Sequence, residues 1–250
     1  MALVKVIQGS FHQGHKQFGE TAGKQCTCCS LFSVVFSIVK NPGSWDTIDL
    51  DYVLKNGTEI YRGVNKDGFL MFSELPREIN ILESKFYIEF LENDYGLLHY
   101  YSVYGSLIDR KSLSISDGFL LIVNKKCISV MWNKRAFFLY DSHSKNNQGK
   151  SSPDGTATLI KFNSLKALEN YIFQTYSMIT EDGVEYELQY ISVNKDNLKA
   201  TPEAYYAYRE RIRKSTPDAQ EKSRKRNATS EAQEKARKRN ATHDCTTEIF

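Results

Sequence analysis

The stretch Ala22-Gly-Lys-Gln-Cys26-Thr-Cys-Cys-Ser-Leu-Phe-Ser-Val-Val-Phe-Ser-Ile-Val39 decides how the rest of the chain is arranged. Its apolar residues Cys28, Phe32, Val35, Phe36 and Val39 recur at helical spacing, and Leu31, Val34 and Ile38 fill the other faces. A helix apolar on nearly every side belongs in the interior. The spacing predicts a helix over 23–39, stopped by Asn41-Pro42-Gly43, because Pro42 disfavours helical geometry at the residue before it and Gly43 favours a turn. Upstream, residues 3–9 suit a short strand, and the Gly-, His- and Gln-rich segment 10–23 has no periodicity and suits a loop.

Downstream, a second helix is expected from about Asp46 to Lys55, with Asn56-Gly57 as a left-handed exit. Phe86, Ile88 and Phe90 alternate with Lys85, Tyr87 and Glu89, the period of a strand. Gly118–Val123, Ile128–Trp132 and Ala136–Tyr140 follow as three apolar runs joined by Asn-Lys-Lys and Asn-Lys-Arg, an antiparallel meander. Ala157–Phe162 adds a strand, Asn163–Tyr176 a helix with Leu165, Leu168, Ile172 and Tyr176 on one face, and Tyr186–Val193 a last strand. A helix first and an antiparallel sheet afterwards make the fold class α+β, with the N-terminal helix buried against the sheet.

A chain of 250 residues, 41% of them hydrophobic, can bury one core of roughly 200 residues with something left over. The remainder is the segment after about residue 198, where 216–228 and 229–241 repeat the pattern Ala-Gln-Glu-Lys-x-Arg-Lys-Arg-Asn-Ala with a period of 13 residues. The repeats hold no aliphatic or aromatic residue larger than Ala, so they are expected to be disordered or a solvated helix laced with Glu–Arg pairs. We therefore expect a domain over 1–198 and a basic tail over 199–250. The net charge is +3, and its basic character belongs to the tail, since the part before it is close to neutral or slightly acidic. Two readings of the tail stay open, a solvated charged arm and a nucleic-acid contact weakened by the interspersed Glu.

No signal-peptide pattern and no apolar run of membrane-spanning length is present, so an intracellular chain, cytoplasmic or nuclear, is expected. Five cysteines, three crowded at Cys26, Cys28 and Cys29, make a poor disulfide framework and a reasonable set of reduced thiols. The sequons at Asn56, Asn227 and Asn240 then carry no meaning.

Chemistry concentrates in two places far apart in sequence. Cys26 falls in the first turn of the predicted helix, where the backbone dipole favours a thiolate by typically about 0.3–1 kcal/mol. The larger contribution has to come from an imidazolium, and Asp141-Ser142-His143 ends a predicted strand. Asp141 and His143 project from one strand face, so the carboxylate can orient the imidazole if the strand bends slightly. Acyl transfer also needs oxyanion donors, of which the Cys26 amide is one and the side-chain amide of Gln13 or Gln25 a second. This chemistry requires no cofactor and no metal. The spacing His12-x-x-His15 with Cys26-x-x-Cys29 also fits zinc or a redox pair, but Cys28 and Cys29 are needed to fill the helix interior. Cys127, Trp45 and Trp132 are taken as packing residues, His99 as a core or surface residue and Cys245 as an exposed thiol.

The blocks Gly9-Ser-Phe-His-Gln13-Gly, Gly19, Ala22-Gly-Lys-Gln25-Cys26, Trp45, Asp51-x-Val53-Leu54-x-x-Gly57, Tyr61, Phe138-x-x-Asp141-Ser-His143-Ser, Gly149 and Asp154-Gly155 resemble the herpesvirus tegument deubiquitinases and their viral-tegument-like relatives. The resemblance spans most of residues 5–195. It implies a papain-like cysteine peptidase that cleaves the (iso)peptide bond after the C-terminal glycine of ubiquitin, acting as a monomer on ubiquitin or polyubiquitin. By position it implies Cys26 as nucleophile, His143 as base, Asp141 as its orienter and Gln13 as oxyanion donor. Two other classes compete: a catalytically silent ubiquitin-binding module, and a nucleic-acid-associated protein acting through its tail.

Overall fold

In the computed structural model, which describes residues 5–64, 67–98, 107–176, 183–194, 200–215 and 221, the chain divides into two compact units, Met1–Thr201 and Pro202–Phe250. The first unit holds the strands β1 (Lys5–Gln8), β2 (Glu78–Ile81), β3 (Ser84–Leu98), β4 (Gly118–Val123), β5 (Lys126–Asn133), β6 (Ala136–Lys145), β7 (Thr156–Phe162) and β8 (Val184–Asn194). They form one sheet in the order β1-β7-β6-β5-β4-β8-β3-β2, antiparallel throughout. Its helices are α1 (Cys26–Val39), α2 (Thr47–Val64), α3 (Arg110–Ile115) and α4 (Leu165–Tyr176). Helix and antiparallel sheet together give the α+β class.

The central strands read as nearly continuous apolar runs because both of their faces are covered. Phe119 and Leu121 of β4 and Ile128 and Val130 of β5 join one apolar cluster with Leu168 and Ile172 of α4. The alternate residues turn the other way: a Cβ on Gly118 would meet Val34 of α1 at 2.8 Å, and Ser129 exchanges a hydroxyl hydrogen bond with Ser33 of the same helix. α1 is thus pressed between sheet and α2, and all but two of its residues are buried. The β4–β5 turn is made by Asn124 and Lys125, both at positive φ (49° and 58°), the geometry of a tight two-residue hairpin.

Three elements depart from the sequence expectation. α2 does not exit at Asn56-Gly57 but continues to Val64. Gly57 is there for packing, because a Cβ on it would lie 2.5 Å from Cys29 Cα and 2.8 Å from Cys29 N. β3 runs on past Leu91 to Leu98 after a register irregularity between Phe90 and Asn93, which breaks the period-two pattern that sequence reading depends on. α1 begins at Cys26 rather than at Gly23, which has φ of 83° and forms the turn before it. The short α3, capped by Asp109, was not anticipated.

In the second unit, α5 (Pro202–Ser215) is a charged helix whose Glu210 pairs with Arg213 one turn on. Apart from Glu221, the 13-residue repeats lie outside the described residues, as do His99, Cys245 and the expected boundary at 198/199. Among the described residues no helix is long and apolar enough to cross a membrane.

Candidate active site

The loop between β1 and α1 is fastened on three sides. Ser10 N donates to Asp51 Oδ1 of α2 (2.8 Å), Ala157 N of β7 donates to Phe11 O (2.9 Å), and Gln13 N donates to Ser142 O of β6 (2.8 Å). The last bond sets the segment that carries Gln13 directly beside the Asp141–His143 strand end. The loop then returns on itself, with Gly23 N bonded to Gln13 O at 3.1 Å and Gln25 Nε2 bonded to the same carbonyl at 2.8 Å, and delivers the chain into α1 at Cys26.

Cys26 therefore occupies the first helical position, where a backbone N–H has no intrahelical acceptor. The first turn carries no acidic residue and the cap residue Gln25 makes no side-chain cap bond, so the positive helix end faces the sulfur without competition. The sulfur lies within electrostatic reach of the His143 imidazole, and Thr27 Oγ1 stands 3.9 Å from it. The imidazole presents Nδ1 to Asp141 Oδ1 at 2.6 Å, which leaves Nε2 for the sulfur. The bend needed to join two groups on one strand is present: the β6–β7 register is irregular between Asp141 and Lys145, and His143 N donates to Asp141 Oδ1 at 2.9 Å.

The electrostatics follow from this chain of contacts. Burial by itself would push the Cys26 thiol up, but the neighbouring His143 imidazole outweighs it and holds the thiol below its ordinary range. Burial would likewise drive a proton off His143, but the Asp141 carboxylate, and then the sulfur, raise it to about 9. Asp141 is wholly enclosed, which disfavours its charge, yet His143, Lys145 and Tyr176 keep its carboxyl well below the usual carboxylate range. Each of the two groups thus favours the charged form of the other. The neighbouring thiols are in the opposite condition: burial pushes Cys28 up to about 12 and Cys29 and Cys127 well above the ordinary value.

Of the two glutamines, Gln25 is fully buried and already committed, its Nε2 to Gln13 O and its Oε1 accepting from Lys24 N at 3.0 Å. Gln13 is buried with an Oε1 that has no hydrogen-bond partner, so its amide is not tied into the scaffold. His12 and His15 turn their Nδ1 atoms onto their own backbone, at Gly14 N and Gln17 N, and the described residues hold no cluster of three or more potential metal ligands. The sequence reading brought Cys26, His143, Asp141 and Gln13 to one place. It missed Lys145 and Tyr176, both buried against Asp141 Oδ2; the only trace of the first was a lysine four residues after Asp141 on the same strand.

The family model of the herpesvirus tegument protein, N-terminal conserved region, matches residues 8–196. Among solved structures, the fold is similar to that of the ubiquitin-specific protease encoded by murine cytomegalovirus tegument protein M48, crystallised with a ubiquitin-based suicide substrate. The TM-score is 0.62 at 16% identity, over 86% of this chain and 97% of that one. No curated protein matches the chain. The family match takes in the loop and helix that carry Gln13 and Cys26 as well as the strand that carries Asp141 and His143, and on it the chain belongs to the herpesvirus tegument protein N-terminal region family.

Proposed function

We propose that the chain is a deubiquitinase, a cysteine peptidase that hydrolyses the (iso)peptide bond after the C-terminal glycine of ubiquitin. The observation that carries the reading is the meeting of Cys26, at the first position of α1, with an imidazole held from behind by a buried carboxylate. The Cys26 thiolate attacks the glycine carbonyl carbon. Charge that develops on the carbonyl oxygen is received by the Cys26 amide and the Gln13 side-chain amide. His143, protonated in the resting pair, gives its proton to the departing lysine amine, and the thioester that remains is hydrolysed by a water from which His143 takes a proton. Asp141 keeps the imidazole in the tautomer that faces the sulfur with Nε2. The ubiquitin target is supported by the family membership and by the substrate-based inhibitor bound to the cytomegalovirus protease of similar fold. The proposal places the activity in the first unit, and the tail takes no part in the chemistry.

The test is covalent capture. The full chain incubated with a ubiquitin C-terminal electrophile gains the mass of one ubiquitin, and Cys26→Ala does not. An adduct that persists in Cys26→Ala moves the nucleophile elsewhere. A wild-type chain that binds ubiquitin but forms no adduct makes it a silent binding module.

A further inference from the structure

Asp141 has more partners than orienting a histidine requires. Oδ1 accepts from His143 twice, through the backbone N (2.9 Å) and Nδ1 (2.6 Å). Oδ2 accepts from the Tyr176 hydroxyl of α4 at 2.7 Å and lies 3.2 Å from Lys145 Nζ, on the same strand four residues on. Lys145 is 1% exposed, with its ammonium 4.7 Å from the centre of the Tyr176 ring and 3.5 Å from Ser151 Oγ. We propose that Lys145 and Tyr176 are positioning residues of the active site, a clamp on the outer oxygen of Asp141 that fixes His143 against Cys26. The proposal rests on the peptidase reading above.

A buried lysine–carboxylate pair is not by itself a gain in stability. Taking an ammonium and a carboxylate out of water together is commonly no better for stability than apolar side chains of the same size. A residue that breaks the local rule of burial is expected where function asks for it. The surroundings are built to hold this one. A Cβ on Gly155 would lie 2.5 Å from both N and O of Lys145, so the chain there can approach only as glycine. Gln8 Nε2 of β1 donates to Lys145 O at 3.2 Å. The Tyr176 ring packs edge-on against Tyr171, whose hydroxyl donates to Gly149 O at 2.6 Å. β1, the β6–β7 loop and α4 thus converge on the back of one carboxylate.

The clamp has an electrostatic consequence that mere packing would not. Lys145, Asp141, His143 and Cys26 alternate in sign and sum to zero once the thiolate has formed. Removing the Lys145 charge leaves the row with a net negative charge, so protons bind more readily at both ends. The pH at which Cys26 ionises and the pH at which His143 loses its proton both rise. Other titratable groups face this row: the Cys28 and Cys29 thiols of α1 and the Cys127 thiol of β5 are all pushed upward by burial. Tyr140 of β6 and Tyr171 and Tyr176 of α4 are pushed upward by burial, and His12, from the loop before α1, is pushed down, first by burial and then by His15 and His143. Asp51 of α2 faces Tyr140 and accepts from Ser10 N.

The full chain is alkylated with iodoacetamide across the pH range, and the modified Cys26 peptide is quantified by mass. In Lys145→Met both limbs of the profile move upward by about half a unit to one unit, the size expected of one charge removed several ångströms away. In Tyr176→Phe, which keeps the ring and loses only the hydroxyl, the limbs stay and capture by the ubiquitin electrophile slows about tenfold. A folded Lys145→Met chain with an unmoved profile, or Tyr176→Phe with wild-type capture, overturns the clamp; if Lys145→Met does not fold, Tyr176→Phe decides. Failure of the peptidase reading would look different, since wild-type Cys26 would itself alkylate like an ordinary thiol.

Discussion

Replacing Gly57 by Ala tests whether the α1–α2 contact sets the position of Cys26. The new methyl would lie 2.5 Å from Cys29 Cα, 2.7 Å from Cys29 Sγ and 2.8 Å from Cys29 N. Carbon atoms in ordinary contact stand about 3.5–4.0 Å apart, so the helices must separate by about 1 Å. Two of the three obstacles are backbone atoms that no rotamer change can move. Helix propensity favours the substitution by about 1 kcal/mol. Overpacking costs typically about 1–3 kcal/mol, and the rigid backbone puts this site near the upper end, for a net loss of about 2 kcal/mol. With a urea slope near 2 kcal/mol per molar, the unfolding midpoint falls by about 1 M. Gly63 lies on the same helix with nothing within 4 Å of its missing Cβ. Gly63→Ala is therefore expected to gain up to about 1 kcal/mol from propensity alone. Cys29 is one turn from Cys26, so the displacement also reaches the sulfur, and a shift of about 1 Å there slows capture by the ubiquitin electrophile on the order of 100-fold. A Gly57→Ala chain as stable as Gly63→Ala would refute the argument that close approach, rather than a turn, requires the glycine.

On the proposed mechanism Gln13→Ala lowers kcat on a ubiquitin amide substrate by about 100- to 1,000-fold while Cys26 alkylation stays at its wild-type rate, since the amide would act only on the developing oxyanion; equal losses in both would make Gln13 structural. The rate on the same substrate holds a plateau from the lowered thiol range of Cys26 up to about 9, where His143 loses its proton, and declines above it. The sign is set by the raised imidazole: its proton, needed by the leaving amine, is retained below that pH, and an alkaline decline already near the ordinary histidine value of about 6.5 would contradict the pairing. Lys40→Met leaves the buried Asp49 carboxylate without the ammonium now 2.7 Å away. This costs about 3–5 kcal/mol in urea unfolding, and a loss under 1 kcal/mol would mean that water reaches the pair.

The parts of the fold legible from the sequence are those where local signals and packing agree. The β4–β5–β6 meander announces itself by short apolar runs bounded by Asn and Lys, and Asn124 and Lys125 take the positive φ that such a turn requires. α1 is legible because an all-round apolar helix has nowhere to go but the interior. Where the two signals disagree, packing prevails. Asn56-Gly57 carries the local chemistry of a helix exit, but the space beside Cys29 admits only a residue without a side chain, so the same glycine continues the helix. The far half of β3 is hidden by a register irregularity, and its exposed Glu92–Tyr95 segment gives no apolar alternation to find.

Legibility of the site divides along the same line. A thiol at a helix start and an Asp-x-His strand end are recognisable by residue type, since few other side chains can do their chemistry. Which glutamine is available is a long-range matter: Gln25 is consumed in closing the loop onto Gln13 O, while Gln13 N is stapled to Ser142 O. The same staple explains how groups so far apart in sequence meet at all. The residue whose carbonyl anchors the loop before Cys26 is the one between Asp141 and His143, so the loop cannot drift from the strand without breaking the link that registers sulfur against imidazole. Lys145 and Tyr176 were beyond sequence reading for the converse reason. A lysine on a strand is by default a surface residue, and a tyrosine on an apolar helix face is by default packing. Only the folded chain shows the two sharing one oxygen of Asp141, behind the histidine it holds.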